Sequence, residues 1–577
     1  MLRRLAVLAS ILALVSAPVP AAAQAQTQAP GAQAAPADGN PARNADVLAA
    51  ELARERGDCR ASAETYVKAA ENSRDPRISR RATDVALECA HLPAAWKSAT
   101  RWRTLDPENV DALRAAGLVA LELWRIDDAR NLFRELLGKP DVEPDRALGE
   151  LLPLVLDGDQ VHAAWLAFGP VVERSSAAPA TLVALARLAA AADNFDAARQ
   201  ILAGLPASGV PPQAAAQAAR LRAQLEAASG AADAALAAAA DAARLDPEEN
   251  GFAVAETLVQ LDRAEEAHAE LERLQGDGAT AKEAERRLAL LALGTGDFAE
   301  AQQRFGARLQ RGESPAEALF YLGVIAERRG NADLALQSYT RLAEAGAGLL
   351  PRARAASLLI ERGERDQGLA LLDEFAKGNR DVAVDVAVAR AQLLADAGDF
   401  DAALASIADA LKRHPEHPNL AYQRAMLLER ASRSREAVRA FDALLKLRPG
   451  DATVENALGY TLADRRQQLT RSEQLIRSAV AARPDNAAFL DSLGWVLYRR
   501  GDASSALPLL ERAWRLSQEA EIAAHWGEVL WATGAQSEAR TVWARALARS
   551  PDSEPLRATI ERFTGKPGST PATTPAP

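Results

Sequence analysis

Apolar residues recur along this chain at spacings of three and four, in runs of about a dozen residues separated by short polar turns. That is the signature of amphipathic helices burying one face, and it predicts an all-α protein. The stretch FLDSLGWVLYRRGDASSALPLLERAW, beginning at Phe489, shows the plan. Leu490, Leu493, Gly494 and Leu497 share one face of a first helix, Gly501 opens a turn, and Ala506 and Leu510 follow in a second helix. Sequences of the same form begin at Gly296 (GDFAEAQQRFGARL), Gly330 (GNADLALQSYTRLA) and Gly398 (GDFDAALASIADAL). Each places a small residue five positions after its glycine (Ala301, Ala335, Ala403) and a large one four further on (Phe305, Tyr339, Ile407). Prolines close many of the second helices, as at Pro415, Pro449, Pro484 and Pro551.

Aligned on these positions, units start at 43, 76, 110, 144, 179, 216, 248, 282, 316, 349, 384, 418, 452, 487 and 520, a period of about 34 residues. A helix–turn–helix period of this length, with Gly at the crossing and the turn and Ala early in the second helix, resembles the tetratricopeptide repeat (TPR). The resemblance implies a right-handed superhelical solenoid of antiparallel helix pairs, about fifteen TPR-like units in all. The physics agrees: single helices of about a dozen residues are marginal in water, and stacking neighbours buries a continuous core. Gly459, Gly494 and Gly527 are expected where the two helices of a unit cross. Gly363, Gly501 and Gly534 are expected in the turns.

The match divides the chain. Residues 43–281 read as partly degenerate units, with Ala or Asp at several expected glycines. Residues 282–553 read as well-formed ones. Leu556, Ile560 and Phe563 recur at helical spacing and predict a capping helix over 554–563, followed by a disordered tail at 564–577. At the other end, MLRR, the apolar run LAVLASILALV and a small-residue region read as a signal peptide over 1–23. That run is shorter than the roughly twenty residues a spanning helix needs, and no second one follows, so no transmembrane helix is expected in the mature chain. Residues 24–42, rich in Ala, Gln and Pro, read as a flexible linker. Export to the periplasm follows.

Composition changes this picture little. In 577 residues the formal charge is −10 and the pI is near 5.4, which argues against nucleic-acid partners. No nucleophile elbow, phosphate loop or dinucleotide fingerprint occurs. The six histidines are scattered apart from His414 and His417 in RHPEHP, which no Cys or further His joins in sequence. No enzymatic activity, cofactor or metal is expected.

Two features remain. Cys59 opens the second helix of the first unit and Cys89 lies near the end of the first helix of the next, on the same side of an antiparallel stack. In an oxidising compartment they either form a disulfide or stay as two buried thiols. On the first helices, a face distinct from the buried one carries Asp491, Trp495, Tyr498 and Arg499. Asn456, Tyr460 and Asp464 occupy the corresponding places in the preceding unit, and Glu528 and Trp531 in the next. Aromatics beside carboxylates and an amide make a surface suited to a peptide or partner helix, on what would be the concave groove. Packing of Trp495 and Trp531 between units is the alternative.

The run from ENALGYTLADRR through SLGWVLYRRGD to HWGEVLWATGA, with AELARERGDCRASAETYVKAA near the start, is similar to a proteobacterial family of exported TPR proteins. That family includes an outer-membrane lipoprotein adaptor that brings a carboxyl-terminal processing protease to cell-wall hydrolases. The resemblance implies a non-enzymatic scaffold or adaptor that holds protease and substrate together; it is expected to be soluble in the periplasm or held at the outer membrane through its partners. The lipoprotein members carry an anchor cysteine directly after the signal peptide, whereas here no cysteine precedes Cys59. A scaffold in polysaccharide export or outer-membrane assembly would use the same groove. An enzyme with an unrecognised site is the remaining alternative.

Overall fold

The computed structural model describes residues 41–565 apart from 157–159, 175, 277, 379–381 and 552. Among the described residues the secondary structure is helical throughout, with no strand. The expected signal peptide, all of the linker except its last two residues, and tail positions 566–577 lie outside them. Residues 41 and 42 already belong to the helix Pro41–Glu55.

The turn chemistry explains why the helices pair. In the unit at 487, the helix Ala487–Arg499 ends at Gly501, whose φ of 95° is easily reached only by a residue without a side chain. The Gly501 N–H donates to the Tyr498 carbonyl and the Asp502 N–H to the Leu497 carbonyl, closing the helix end. The Asp502 carboxylate then accepts the Ser505 N–H at 3.0 Å and starts the helix Ala503–Leu516. One Gly-Asp dipeptide thus ends one helix and begins the next. Asp297, Asn331 and Asp399 cap second helices in the same way.

Packing follows from the small–large pattern. Ala301 and Phe305, Ala335 and Tyr339, Ala403 and Ile407, and Ala506 and Leu510 are all fully buried. Each large side chain contributes about 2 kcal/mol by leaving water. The first helix must come close to admit them: a Cβ built on Gly494 would lie 2.6 Å from Leu510 Cγ. The glycine's cost in helix propensity, about 1 kcal/mol, is offset by the contact it permits.

First helices begin at Pro76, Val110, Pro144, Pro179, Pro315, Leu349, Ala383, Pro418, Ala452, Ala487 and Ala520, on or beside the sequence-derived starts. The degenerate units depart further. The unit expected at 216 opens at Pro212. The unit at 248 has its first helix split into Pro247–Asn250 and Ala253–Gln260, interrupted at Gly251 and Phe252. At the C-terminal end, the helix Glu554–Thr564 buries Leu556 completely, with Ile560 and Phe563 packed on the last pair. The architecture is an all-α superhelical solenoid of helix pairs.

The chain resolves into two compact units, neither of them contiguous in sequence. One joins the described residues of Ala120–Leu261 with residues 434–565. The other joins the described residues 41–119 with those of Asp262–Arg433. In the second unit Phe305 stacks on Tyr321 at 4.9 Å, and Cys59 and Cys89 are joined by a disulfide with their Cα atoms 5.2 Å apart. The bond ties the start of the helix Cys59–Glu71 to the C-cap of Pro76–Glu88. His414, in the loop after Phe400–Arg413, donates to the Cys89 carbonyl in the same unit.

Candidate functional site

Three successive first helices, Ala452–Asp464, Ala487–Arg499 and Ala520–Ala532, carry the residues singled out from the sequence. Because the repeat places equivalent side chains one unit apart, these residues form a row across neighbouring helices. Asp491 and Trp495 form its floor, with Trp495 only 4% exposed and Asp491 5%. Tyr460, Tyr498, Arg499 and Asn456 are half-buried, and Asp464 is exposed.

The centre of the row is a residue that the sequence reading left among the scattered histidines. The His525 ring stacks on Trp495 with centroids 4.2 Å apart and planes within 20°. Its Nδ1–H donates to Asp491 Oδ2 at 2.8 Å. Tyr460 lies 6.1 Å from the same ring and donates its hydroxyl to Glu521 at 2.9 Å. The Arg499 guanidinium stands 5.1 Å from the Trp495 ring and donates to the Asp464 carbonyl at 2.6 Å. Tyr498 bonds to Glu528, which also receives Arg562 from the capping helix. His525, Glu521 and Arg562 are therefore members that sequence reasoning missed. The available signal was the period: His525 lies 34 residues after its partner Asp491.

Electrostatics follow from these contacts. Burial disfavours a charged His525, but the adjoining Asp491 carboxylate, with Glu521 and Glu528 beyond it, outweighs that and raises its pKa above the usual 6.5. Burial and then Glu521 push the Tyr460 hydroxyl well above its ordinary range, and burial and Glu528 raise Tyr498. Both phenols stay protonated and serve as hydrogen-bond donors. Three buried polar atoms in the row, Asp491 Oδ1, Trp495 Nε1 and Asn456 Oδ1, have no hydrogen-bond partner among the described residues.

Trp531 behaves differently from the rest. It stacks on Trp543 at 5.6 Å, approaches Phe563 at 6.3 Å and lies under Arg540, so its contacts are those of the last helix pair and its cap. His414 and His417 stand edge to face with centroids 6.3 Å apart, and burial lowers both pKa values. A separate depression of about 650 Å³ in the other unit is lined chiefly by Leu309, Leu319, Leu322, Ile325 and Leu334. No described helix is long and apolar enough to cross a membrane.

Comparison with known proteins agrees with the geometry. Residues 286–349, 354–418, 388–452 and 422–487 match the tetratricopeptide repeat family model. A TPR repeat-containing protein of Pseudomonas aeruginosa is 30% identical over 248 residues, which cover 43% of this chain and 42% of that protein. The chain thus spans less than half the length of this relative. Among solved structures, yeast Tom70 is 15% identical with a TM-score of 0.33, over 91% of this chain and 99% of that one. The Cut9–Hcn1 hetero-tetramer of the APC/C gives 14% and 0.31, over 90% of each chain. Residues 286–349 and 354–487 thus carry tetratricopeptide repeats, set among helix pairs of the same form.

Proposed function

We propose that the protein is a non-enzymatic, exported scaffold that holds protein partners against the first-helix row of its C-terminal units. One such partner is a carboxyl-terminal processing protease, brought by the scaffold to its cell-wall hydrolase substrates. The observation that carries the binding reading is the continuity of the row. Tyr460, Tyr498, Arg499 and Asp464 present two phenol rings whose hydroxyls are fixed by Glu521 and Glu528, a guanidinium and a carboxylate along the edge of a buried aromatic floor. Amphipathic groups held in place by buried packing lose little entropy on contact, which is the usual character of binding hot spots.

The other parts of the reading have separate support. A His–Asp pair orients the base in hydrolytic triads, but the His525 ring is stacked against Trp495 and 9% exposed, so this pair works as packing. Export is supported by the amino-terminal sequence and by the Cys59–Cys89 disulfide, a bond that persists in oxidising compartments. The protease partner rests on the family resemblance of the C-terminal repeats. A scaffold that binds enzyme and substrate together acts by effective concentration, so modest single affinities suffice.

The test is co-purification from envelope extracts, comparing the natural chain with a Tyr460→Ala, Tyr498→Ala double variant. The proposal expects a carboxyl-terminal processing protease with the natural chain and its loss with the variant. Recovery of secretion or outer-membrane assembly machinery instead, with no protease, overturns the adaptor reading.

A further inference from the structure

In a solenoid whose repeats touch only their neighbours, residues several units apart do not meet. Within the unit joining Ala120–Leu261 and residues 434–565, they do. Asp193, in the turn between Pro179–Ala191 and Phe195–Ala203, is bonded to the loop that precedes Ala487–Arg499. The Asp485 N–H donates to the Asp193 carbonyl at 2.9 Å. The Phe195 N–H donates to Asp485 Oδ2 at 2.8 Å, so Asp485 holds this turn through both its backbone and its carboxylate. Asp193 Oδ2 also accepts from Arg483 Nε and Nη2 at 2.9 and 2.6 Å and from Asn486 Nδ2 at 3.0 Å, across 290 residues or more. Arg512 adds a bond to Asp485, and the Arg483 guanidinium lies 4.7 Å from the Phe489 ring.

This contact is polar. It is built from two carboxylates, two guanidiniums and an amide, all but Arg512 in turns, and Asp193 takes a left-handed φ of 53° at a turn where some units use glycine and others a residue such as Ala90, Asp262 or Ser432. Charge-assisted bonds of this kind hold geometry tightly, yet water and salt compete for them at partly exposed edges. The loop side also has a second duty. Asn486 is the N-cap of Ala487–Arg499, its Oδ1 accepting the Phe489 N–H at 3.0 Å while its Nδ2 is held by Asp193. Asp193 thereby fixes the orientation of the cap of the helix that carries Asp491, Trp495, Tyr498 and Arg499.

We infer that Asp193, Arg483, Asp485 and Asn486 form a releasable clasp that sets the first turn of the site-bearing helix from a turn more than eight repeats away. Closed, the clasp orients the Asn486 cap; open, it leaves that turn frayed and the floor of the row less firmly placed. The clasp stands on its own contacts, and only its effect on partner binding rests on the proposed function.

Amide hydrogen exchange on the full chain, without any partner, tests it. In the Asp193→Ala variant, exchange at Phe195, Asp485 and Phe489 should speed up roughly tenfold or more, while the helix Gln536–Arg549 keeps its rate. In the unaltered protein, raising salt from low to molar concentration should speed the same amides and spare the same helix. Unchanged rates at the three amides in both experiments overturn the clasp. So does a uniform acceleration along the chain, since that reports loss of global stability.

Discussion

Gly494 and His525 show how single residues carry this structure. A methyl group at 494 must displace Leu510, which is fully buried, so Gly494→Ala should cost about 1–3 kcal/mol in urea unfolding. Gly501→Ala meets open space and only has to hold a positive φ, so it should cost about 1 kcal/mol. His525 predicts a pH dependence with a definite sign. Its folded pKa is raised, so its contribution to stability is complete below 6.5 and is lost as pH rises through the folded value. His162 acts oppositely. Burial, and then the nearby Arg483, hold it neutral and lower its pKa to about 4, with Asp193 facing it in partial opposition. It therefore costs nothing above pH 6.5 and weakens the fold increasingly as pH falls from there toward 4. Melting curves across pH should show the alkaline loss reduced in His525→Gln and the acid loss reduced in His162→Gln.

At the scale of helices and helix pairs, the period was legible because each unit repeats one solution: a Gly-Asp turn, a small residue at the crossing and a large one behind it. Where the solution is altered, legibility falls. Gly251 and Phe252 split a first helix that the period alone draws as continuous. The candidate row was legible as a set of positions, since first-helix residues are placed by the period. Its internal order was not: whether Trp495 lies on the surface or in the floor depends on His525, one unit away and outside the residues chosen. This changes which substitutions are informative. Trp495→Ala removes a buried ring stacked on His525 and should destabilise the chain by about 3 kcal/mol or more, obscuring any effect on binding. Tyr498→Ala, at a half-buried edge, should weaken a partner by about tenfold while changing stability by less than about 1 kcal/mol, as binding titrations and urea melts on the same samples would show.

Across the whole molecule, local repetition does not determine which distant repeats meet. Each compact unit draws on two separated stretches of chain, and contacts such as Asp193 with Asp485 arise from residues that depart from the repeat pattern. Asp193 occupies a turn position where glycine would have served the fold alone, and its carboxylate is what reaches the other stretch. The disulfide is a second non-periodic feature. It closes a loop of about thirty residues, so reduction should cost roughly 2–4 kcal/mol, seen as a lower urea midpoint with dithiothreitol that Cys59→Ala, Cys89→Ala protein does not show further.

The central claim is that partners bind along the first-helix row of the units at 452, 487 and 520. Site-specific photo-crosslinking in the native envelope tests it most directly, with the probe placed at Tyr498 on the row or at the exposed Ser504 on the adjoining second helix. The account predicts that the probe at 498 captures a carboxyl-terminal processing protease or its hydrolase substrate, and that the probe at 504 does not. Equal capture from both positions, or capture from 504 alone, would contradict it.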